Sequence, residues 1–487
     1  MLVGQSDLGP RKVLLMSSLQ NNNISRDQGI MVIVTFLALV IFCYFSGLPL
    51  IIPLLVFFLG VHLFYFKKIK SRLFLHLALL LALLVFAAHI FKAHSHLVAF
   101  YLPIASIPML TMLLFNDVQI SFMMAFMSAT LAGIILGFGI NEMLIFFLGS
   151  LAGVYKVRDA RTRGVLIEAG IYVSIIQVVC ALLINPVINK DILAYILKPL
   201  AINGLICAFV VIATSKIFET IFGEITNFTL LELSDSSHPL LKRMVVEAPG
   251  SYHHSLIVSN LSEAAADAID AHSLLVRVGA YYHDIGKMVH PEYFTENQMV
   301  TGNKHDELEP SMSRLVIFNH VKEGIEIARK YHLNHRIVDF IPEHHGTSIM
   351  HYFYQKALAE GFTEGLEEKD YRYPGPKPQS KETAIVLLAD SVEGATRAMD
   401  EHTPQRIEDV VRKVINNKFI DGQLDECNLT LREIDTIATT FVRVLSAMYH
   451  GRVKYPEYSN GNHPKKSSKE DPNSSGQNPQ DSESSPS

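Results

Sequence analysis

The string YYHDIGKM places His283 directly before Asp284, and further histidines follow at His320, His344 and His345. Upstream lies the doublet His253-His254; downstream lies Asp390, in the otherwise apolar run LLADSVEG. Imidazole and carboxylate together, with no thiolate, suit iron, manganese or zinc. A carboxylate can bridge two cations while histidines fill the outer positions. Two cations about 3.5–4 Å apart can activate a hydroxide and clamp both oxygens of an in-line phosphoryl displacement. The chemistry this set predicts is metal-assisted phosphoester hydrolysis. A lone histidine on a helix is usually a surface or packing residue, but three His-His or His-Asp doublets with His320 and Asp390 exceed what chance placement supplies. His238, His272, His290, His305, His332, His335 and His351 are read as ordinary structural residues.

Helices must position these groups. From about Leu240 to Tyr458 apolar residues recur at helical spacing, over Leu256–Ala271, Leu274–Tyr282, Ser311–His332, Arg336–Glu343, Thr383–Met399, Pro404–Asn417 and Leu431–Tyr449. No alternating run of strand length occurs there. Thr403 followed by Pro404 is a helix start, and the Gly- and Pro-rich segment Tyr371–Pro378 is a loop. His253-His254 opens one helix, while His283-Asp284 and His344-His345 each end one, before Gly286 and Gly346.

The first half is of a different kind. A helix needs roughly twenty apolar residues to cross a bilayer. Candidate spans are Ile30–Phe66, Leu73–Phe91, Leu97–Phe115, Ile120–Phe138, a short one at Met143–Tyr155, Val165–Ile184 and Leu200–Phe222. The first is interrupted by Gly47, Pro49 and Pro53, so the total is seven, or eight if that stretch is a hairpin. Basic residues crowd two loops, Lys67, Lys68, Lys70 and Arg72 in one and Lys156, Arg158, Arg161 and Arg163 in the other. Counted back from the last span, both fall on the side of the C-terminal half, which predicts a cytoplasmic site. Residues 1–29 are mostly polar and lack the pattern of a cleaved signal. His62, His76, His89, His94 and His96 lie in or near apolar runs and are read as interfacial or satisfied side chains. Asp117, Glu142 and Glu168 lie near span ends, and no paired broken segments carry buried charge, which disfavours a transporter.

Composition agrees with two unlike halves. Hydrophobic residues make up 49% of the 487, charged residues 18%, and mean hydropathy is +0.25. A net charge of -5 argues against a general nucleic-acid binder. Cys43, Cys180 and Cys207 lie in apolar runs and Cys427 stands alone, so neither a disulfide framework nor a zinc ribbon is supported. The expected organisation is a polar segment 1–29, a transmembrane bundle 30–222, a connector 223–242, a metal-site domain 243–458 and a disordered polar tail 459–487. In the connector, Ser234-Asp235-Ser236-Ser237 with Pro239 should break one helix and cap the next. The fold class is all-α: a polytopic transmembrane helix bundle followed by a cytoplasmic all-α domain.

The strings APGSYHHSLIVSNLSEAA, GAYYHDIGK, YFTENQ, HVKEGIEIA, EHHGTS and LLADSVEGATRA closely resemble the seven-span membrane HD-domain family of the HD metal phosphohydrolases, whose members hydrolyse cyclic di-AMP. The resemblance covers most of residues 30–450. It implies two divalent metal ions, manganese or iron. One would be held by His254, His283, Asp284 and Asp390, the other by His320, His344 and His345, with Asp284 bridging. His254 is preferred to His253 because the family's ligand precedes a serine, here Ser255. Lys287 matches the family's HD-x-G-K lysine and would hold a phosphate oxygen, with a solvated helix-end cation as the alternative. The implied reaction opens cyclic di-AMP to pApA, with Lys287 and Asp284 as catalytic residues. The implied partners are a cyclic dinucleotide, membrane lipid and a homodimer mate, and no nucleic-acid polymer. Glu296, Asn297, Tyr282 and Tyr293 are candidates for an adenine pocket, with ordinary packing as the alternative.

Two rival readings remain. One is hydrolysis of another cyclic dinucleotide; the HD-GYP class is disfavoured by His344-His345-Gly346-Thr347, which lacks a GYP string. The other is a nucleotide-sensing membrane receptor with weak catalysis. The family usually carries a large extracellular domain before its bundle, whereas only residues 1–29 precede Ile30 here.

Overall fold

The computed structural model describes residues 51–65, 71–94, 98–298, 303–360 and 367–449, with scattered positions between 33 and 44. Expectations for 1–29, for the hairpin signals Gly47 and Pro49, and for Cys43, Lys67, Lys68, Lys70, His96 and the tail 459–487 lie outside the described residues.

The first half is a bundle of α1 (Ile51–Tyr65), α2 (Ser71–Ala93), α3 (Ser106–Phe115), α4 (Val118–Leu136), α5 (Ile140–Val157), α6 (Arg163–Ile184) and α7 (Lys190–Phe222). Among the described residues five helices, α2 and α4 to α7, are long and apolar enough to cross a membrane. α2 shows why. Its 23 residues rise about 35 Å, enough for the hydrocarbon core. Leu77, Leu80, Leu81 and Leu84 point inward, while Leu75, Leu79, Leu83 and Phe86 stay exposed, as a lipid-facing surface requires. α6 and α7 meet at Gly170 and Gly204, where a Cβ on Gly204 would lie 1.9 Å from the Gly170 carbonyl oxygen.

Two expected spans differ. Leu97–Phe115 is not one helix: a 3-10 turn at Ala99–Tyr101 gives way at Leu102-Pro103, and α3 begins only at Ser106. Proline forces the preceding residue out of the helical region, and Leu102 has ψ 123. The carbonyls freed there cannot turn to water inside a bundle. Buried Asn203 of α7 meets them, its Nδ2 donating to Phe100 O at 3.0 Å and Leu102 O at 2.8 Å. The last span is longer than expected, starting at Lys190 and passing through a π-turn at Leu193–Leu197.

α7 ends at Gly223, and a buried carboxylate turns the chain. Glu219 Oε1 accepts from the Thr226 N–H at 2.8 Å, and its Oε2 accepts from the Thr229 hydroxyl at 2.8 Å. α8 (Asn227–Ser234) then buries Phe228 in the first core and Leu230 and Leu233 in the second, so the connector packs on both halves. α9 (Pro239–Glu247) is capped by His238, whose Nδ1 accepts from Leu240 N–H, and not by the preceding serines.

The second half contains α10 (Pro249–Ala268), α11 (Ser273–Tyr282), a 3-10 turn (Ile285–Met288), α12 (Pro310–Lys330), α13 (His335–Val338), α14 (Phe340–Glu343), α15 (His351–Ala359), α16 (Lys381–Arg397), α17 (Pro404–Ile420) and α18 (Leu431–Tyr449). The stretch read as one helix over Arg336–Glu343 is two short ones, α13 and α14. α16 runs through the centre with Ile385, Val386, Leu387, Leu388 and Ala389 all buried. α18 presents Ile437, Phe441 and Leu445 at helical spacing to the same core. Among the described residues the sole extended pairing is an isolated bridge between Ile349 and Arg372, so the all-α class holds. Cavities of about 300 and 430 Å³ separate the halves, with Arg72, Arg158, Glu224, Arg336 and Glu343 among their lining residues.

Candidate metal centre

Five chain segments, one of them its own, converge at Asp284. α10 carries His254; the residues just after α11 are His283 and Asp284; α12 carries His320; His344 and His345 follow α14; α16 carries Asp390. The close approach of the 3-10 turn to α12 depends on Gly286, where a Cβ would lie 1.8 Å from the His320 carbonyl oxygen.

Asp284 divides the cluster. Its Oδ2 lies 3.2 Å from His283 Nε2 and 3.6 Å from His254 Nε2. Its Oδ1 lies 3.6 Å from both His320 Nε2 and His344 Nε2. Asp390 Oδ1 is 3.0 Å from His254 Nε2, and its Oδ2 is 3.9 Å from His345 Nδ1. The groups whose ligand atoms lie close enough to share an ion are His254 with His283 and Asp390, His320 with His344 and His345, and His283 with Asp284 and His344. His253, the neighbour of His254, is in none of them.

The far side of four of the rings is occupied. Nδ1 of His283 donates to Ala280 O at 2.7 Å, Nδ1 of His344 to Ile341 O at 2.7 Å, and Nδ1 of His320 to Ile317 O. His254 Nδ1 lies 2.7 Å from Glu393 Oε2. Such outer bonds fix the tautomer and aim Nε2 inward. The inward Nε2 atoms of His283, His320 and His344, and Asp284 Oδ1, are buried without a hydrogen-bond partner. Leaving a buried polar atom unsatisfied costs about 1–3 kcal/mol. Four such atoms gathered about Asp284 fit bound cations that accept their lone pairs.

The electrostatics run the same way. Burial pushes His320 down to about 4 and His344 to about 3, and holds His345 well below the ordinary histidine value, so all three are neutral at neutral pH. Burial alone would raise Asp284, but His283 and Lys287 beside it hold its carboxyl well below the usual range. At His254 burial is outweighed by hydrogen bonds to Asp390 and Glu393, which raise it to about 10. Neutral imidazoles and ionised carboxylates are the ligating forms, so His320, His344, His345 and Asp284 stand ready to ligate, whereas His254 would first have to give up a proton.

Lys287 Nζ sits 2.7 Å from Asp284 Oδ2 and 2.7 Å from Glu296 Oε1. Against the effect of burial, those carboxylates hold Lys287 above the ordinary lysine value. Burial would raise Glu296, but Lys287 takes it down to about 2. Glu296 also accepts from the Ser251 hydroxyl, and Asn297 Oδ1 from Ser251 N–H at 3.0 Å, so both clamp the start of α10. Tyr282 is fully buried and donates to Leu233 O at 2.7 Å, which removes it from any substrate pocket. Tyr293 packs against His305 and beneath Lys304.

Two neighbours of the cluster are not legible as such in the sequence. Glu393 stands three residues after Asp390, one turn along the same helix, and that spacing is its only signal. Tyr373 lies in the segment read simply as a loop, yet its ring stacks on His345 at 4.0 Å between centroids.

The chain is similar to several known proteins. Residues 30–226 match the family described as a 7TM receptor with intracellular HD hydrolase, and residues 251–395 match the HD domain. The chain is 37% identical over 432 residues to the cyclic-di-AMP phosphodiesterase PgpH of Bacillus subtilis, covering 85% of this chain and 60% of that protein. It is 38% identical over 399 residues to the protein of the same name from Listeria monocytogenes, covering 80% of this chain and 55% of that one. The chain thus spans somewhat over half the length of these relatives. A crystal structure of the L. monocytogenes PgpH HD domain in complex with cyclic di-AMP aligns with 48% identity and a TM-score of 0.42, covering 45% of this chain and 100% of that one.

Proposed function

Because the chain belongs to the family of seven-span membrane proteins with an intracellular HD hydrolase domain, we propose that it is a membrane-bound, metal-dependent phosphodiesterase that opens cyclic di-AMP to pApA. The observation that carries this reading is the set of buried, unpartnered Nε2 atoms facing a carboxylate with an oxygen on each side. An HD domain implies divalent metal binding, and manganese or iron suits this nitrogen and oxygen donor set.

In this reading His254, His283 and Asp390 would hold one ion and His320, His344 and His345 the other, with Asp284 as a ligand shared between them. Bound there, the ions would activate water and neutralise charge on the phosphoryl oxygens. The chain's own residues do the rest. Asp284 and Asp390 supply the negative charge that draws cations in. Glu393 keeps the His254 ring turned toward Asp390. Lys287, fixed by Asp284 and Glu296, offers its remaining donor to a phosphoryl oxygen as a point charge. Hydrolysis adds one water across one phosphodiester, and the ribose 3′ oxygen leaves with a proton.

The catalytic half would face the cytoplasm from the inner membrane. Lys156 and Arg158, on one basic turn, and Arg163, just beyond it, stand at the bundle end that carries Asn227 and Glu232; Arg163 pairs with Glu232 at 3.3 Å. Exposed Leu75, Phe86, Phe126 and Phe209 are the surface for lipid. The test is a product assay on the purified chain with cyclic di-AMP and cyclic di-GMP. Release of pApA, with cyclic di-GMP turned over poorly, is expected. A folded, metal-loaded protein inert toward both contradicts the reading.

A further inference from the structure

Lys418 is a half-buried cation beside the candidate centre without a carboxylate partner of its own. It projects from α17 and donates to Ser348 Oγ at 2.7 Å. Ser348 is buried three residues beyond His345, and its N–H donates to the His345 carbonyl at 3.1 Å. Its own carbonyl accepts from Tyr373 N–H at 3.0 Å, and the Tyr373 ring lies on His345. The ammonium is thereby fixed at the rim of the cluster next to His345, whose side chain, 20% exposed, is the most open of the candidate histidine ligands.

Among the described residues no carboxylate forms an ion pair with Lys418. Asp421 is already held by Arg372, at 2.8 and 3.2 Å, and by Gln423 at 2.8 Å. Burial works against the Lys418 charge, with Asp390 the foremost charge favouring it. An ammonium has three donors, and here only the Ser348 hydroxyl accepts one. The contrast with Lys287, pinned between two carboxylates, is direct.

A cyclic dinucleotide carries two phosphodiesters, and only one can occupy the reacting position. The other brings a second negative charge to the rim. We propose that Lys418, seated on Ser348, binds the phosphodiester that is not being cleaved. This rests on the phosphodiesterase reading and deepens it: the site would be built for a substrate with two phosphates.

The experiment compares the full chain with Lys418→Met, Lys418→Gln and Lys418→Arg. Loss of the charge should raise KM for cyclic di-AMP by about tenfold or more. The turnover number should stay within about threefold, the pattern of lost ground-state binding. Metal content and thermal midpoint should be unchanged, and Lys418→Arg should recover most of the affinity. Inhibition by AMP, which has a single phosphate to place on the metal centre, should be the same in all four proteins. An unchanged KM, or AMP inhibition weakened as much as substrate binding, overturns the proposal. Loss of fold or metal in both neutral variants marks Lys418 as structural and also overturns it. A wild-type chain inert toward cyclic dinucleotides is a separate result, and it sinks the phosphodiesterase reading itself.

Discussion

Glu393 Oε2 lies 2.7 Å from Nδ1 of His254, and both side chains are buried. The carboxylate fixes the imidazole so that Nε2 meets Asp390 at 3.0 Å. Loss of an outer partner of this kind costs about 10- to 100-fold in metal affinity. Glu393→Ala should therefore weaken metal binding by that order while leaving the helical content intact. Metal titration of the purified variant checks it, and wild-type affinity would remove Glu393 from the account.

Lys287 and Glu296 form a buried pair, and removing one partner leaves a buried charge uncompensated, at about 3–5 kcal/mol. Lys287→Ala should lose turnover and stability together, with metal content near normal. Adding Glu296→Ala should return much of the stability and none of the turnover. Denaturation and rate measurements on the double-mutant cycle separate the two roles; recovery of activity in the double variant would show that Lys287 never touches substrate.

His238 and His272 give the fold a pH dependence. Each accepts a backbone N–H at Nδ1, from Leu240 and Leu275, and burial holds each below the ordinary histidine value. The folded forms resist a proton that the unfolded chain takes up below about pH 6.5. Stability is thus full above that value and declines as pH falls toward the folded pKa values. His272→Asn keeps a cap acceptor without the titration and should flatten the decline. Denaturant midpoints between about pH 7.5 and about pH 5.5 give the slope. An identical slope in the variant would exclude His272.

The second half has its own core, running from Ile225 to Leu445, distinct from the bundle's. A fragment spanning 227–456 contains every candidate ligand and should fold, bind metal and hydrolyse cyclic di-AMP. A folded, metal-loaded but inactive fragment would mean that the bundle takes part in catalysis.

What was legible in the sequence follows from what each signal depends on. His283-Asp284 and His344-His345 announce themselves because ligand types fall in doublets at helix ends, beside Gly286 and Gly346. Glu393 does not, because a carboxylate on a helix reads as a solvated residue until His254 is placed beside it. Tyr373 and Lys418 depend on how the loop after Tyr371 and the end of α17 return to His345, which no local pattern encodes. The break at Pro103 was available in principle. It is masked by unbroken apolarity on both sides, and the group that makes it tolerable, Asn203, comes from a helix a hundred residues later.

The most direct test is metal counting on the purified chain beside its Asp284→Ala variant, by elemental analysis with thermal unfolding before and after chelation. Two divalent ions per wild-type chain are expected, with a lower unfolding temperature once they are removed. Asp284→Ala should retain fewer than two ions and no hydrolysis. A wild-type chain that turns over cyclic di-AMP without bound metal, or an Asp284→Ala chain that keeps both ions and full activity, contradicts the account.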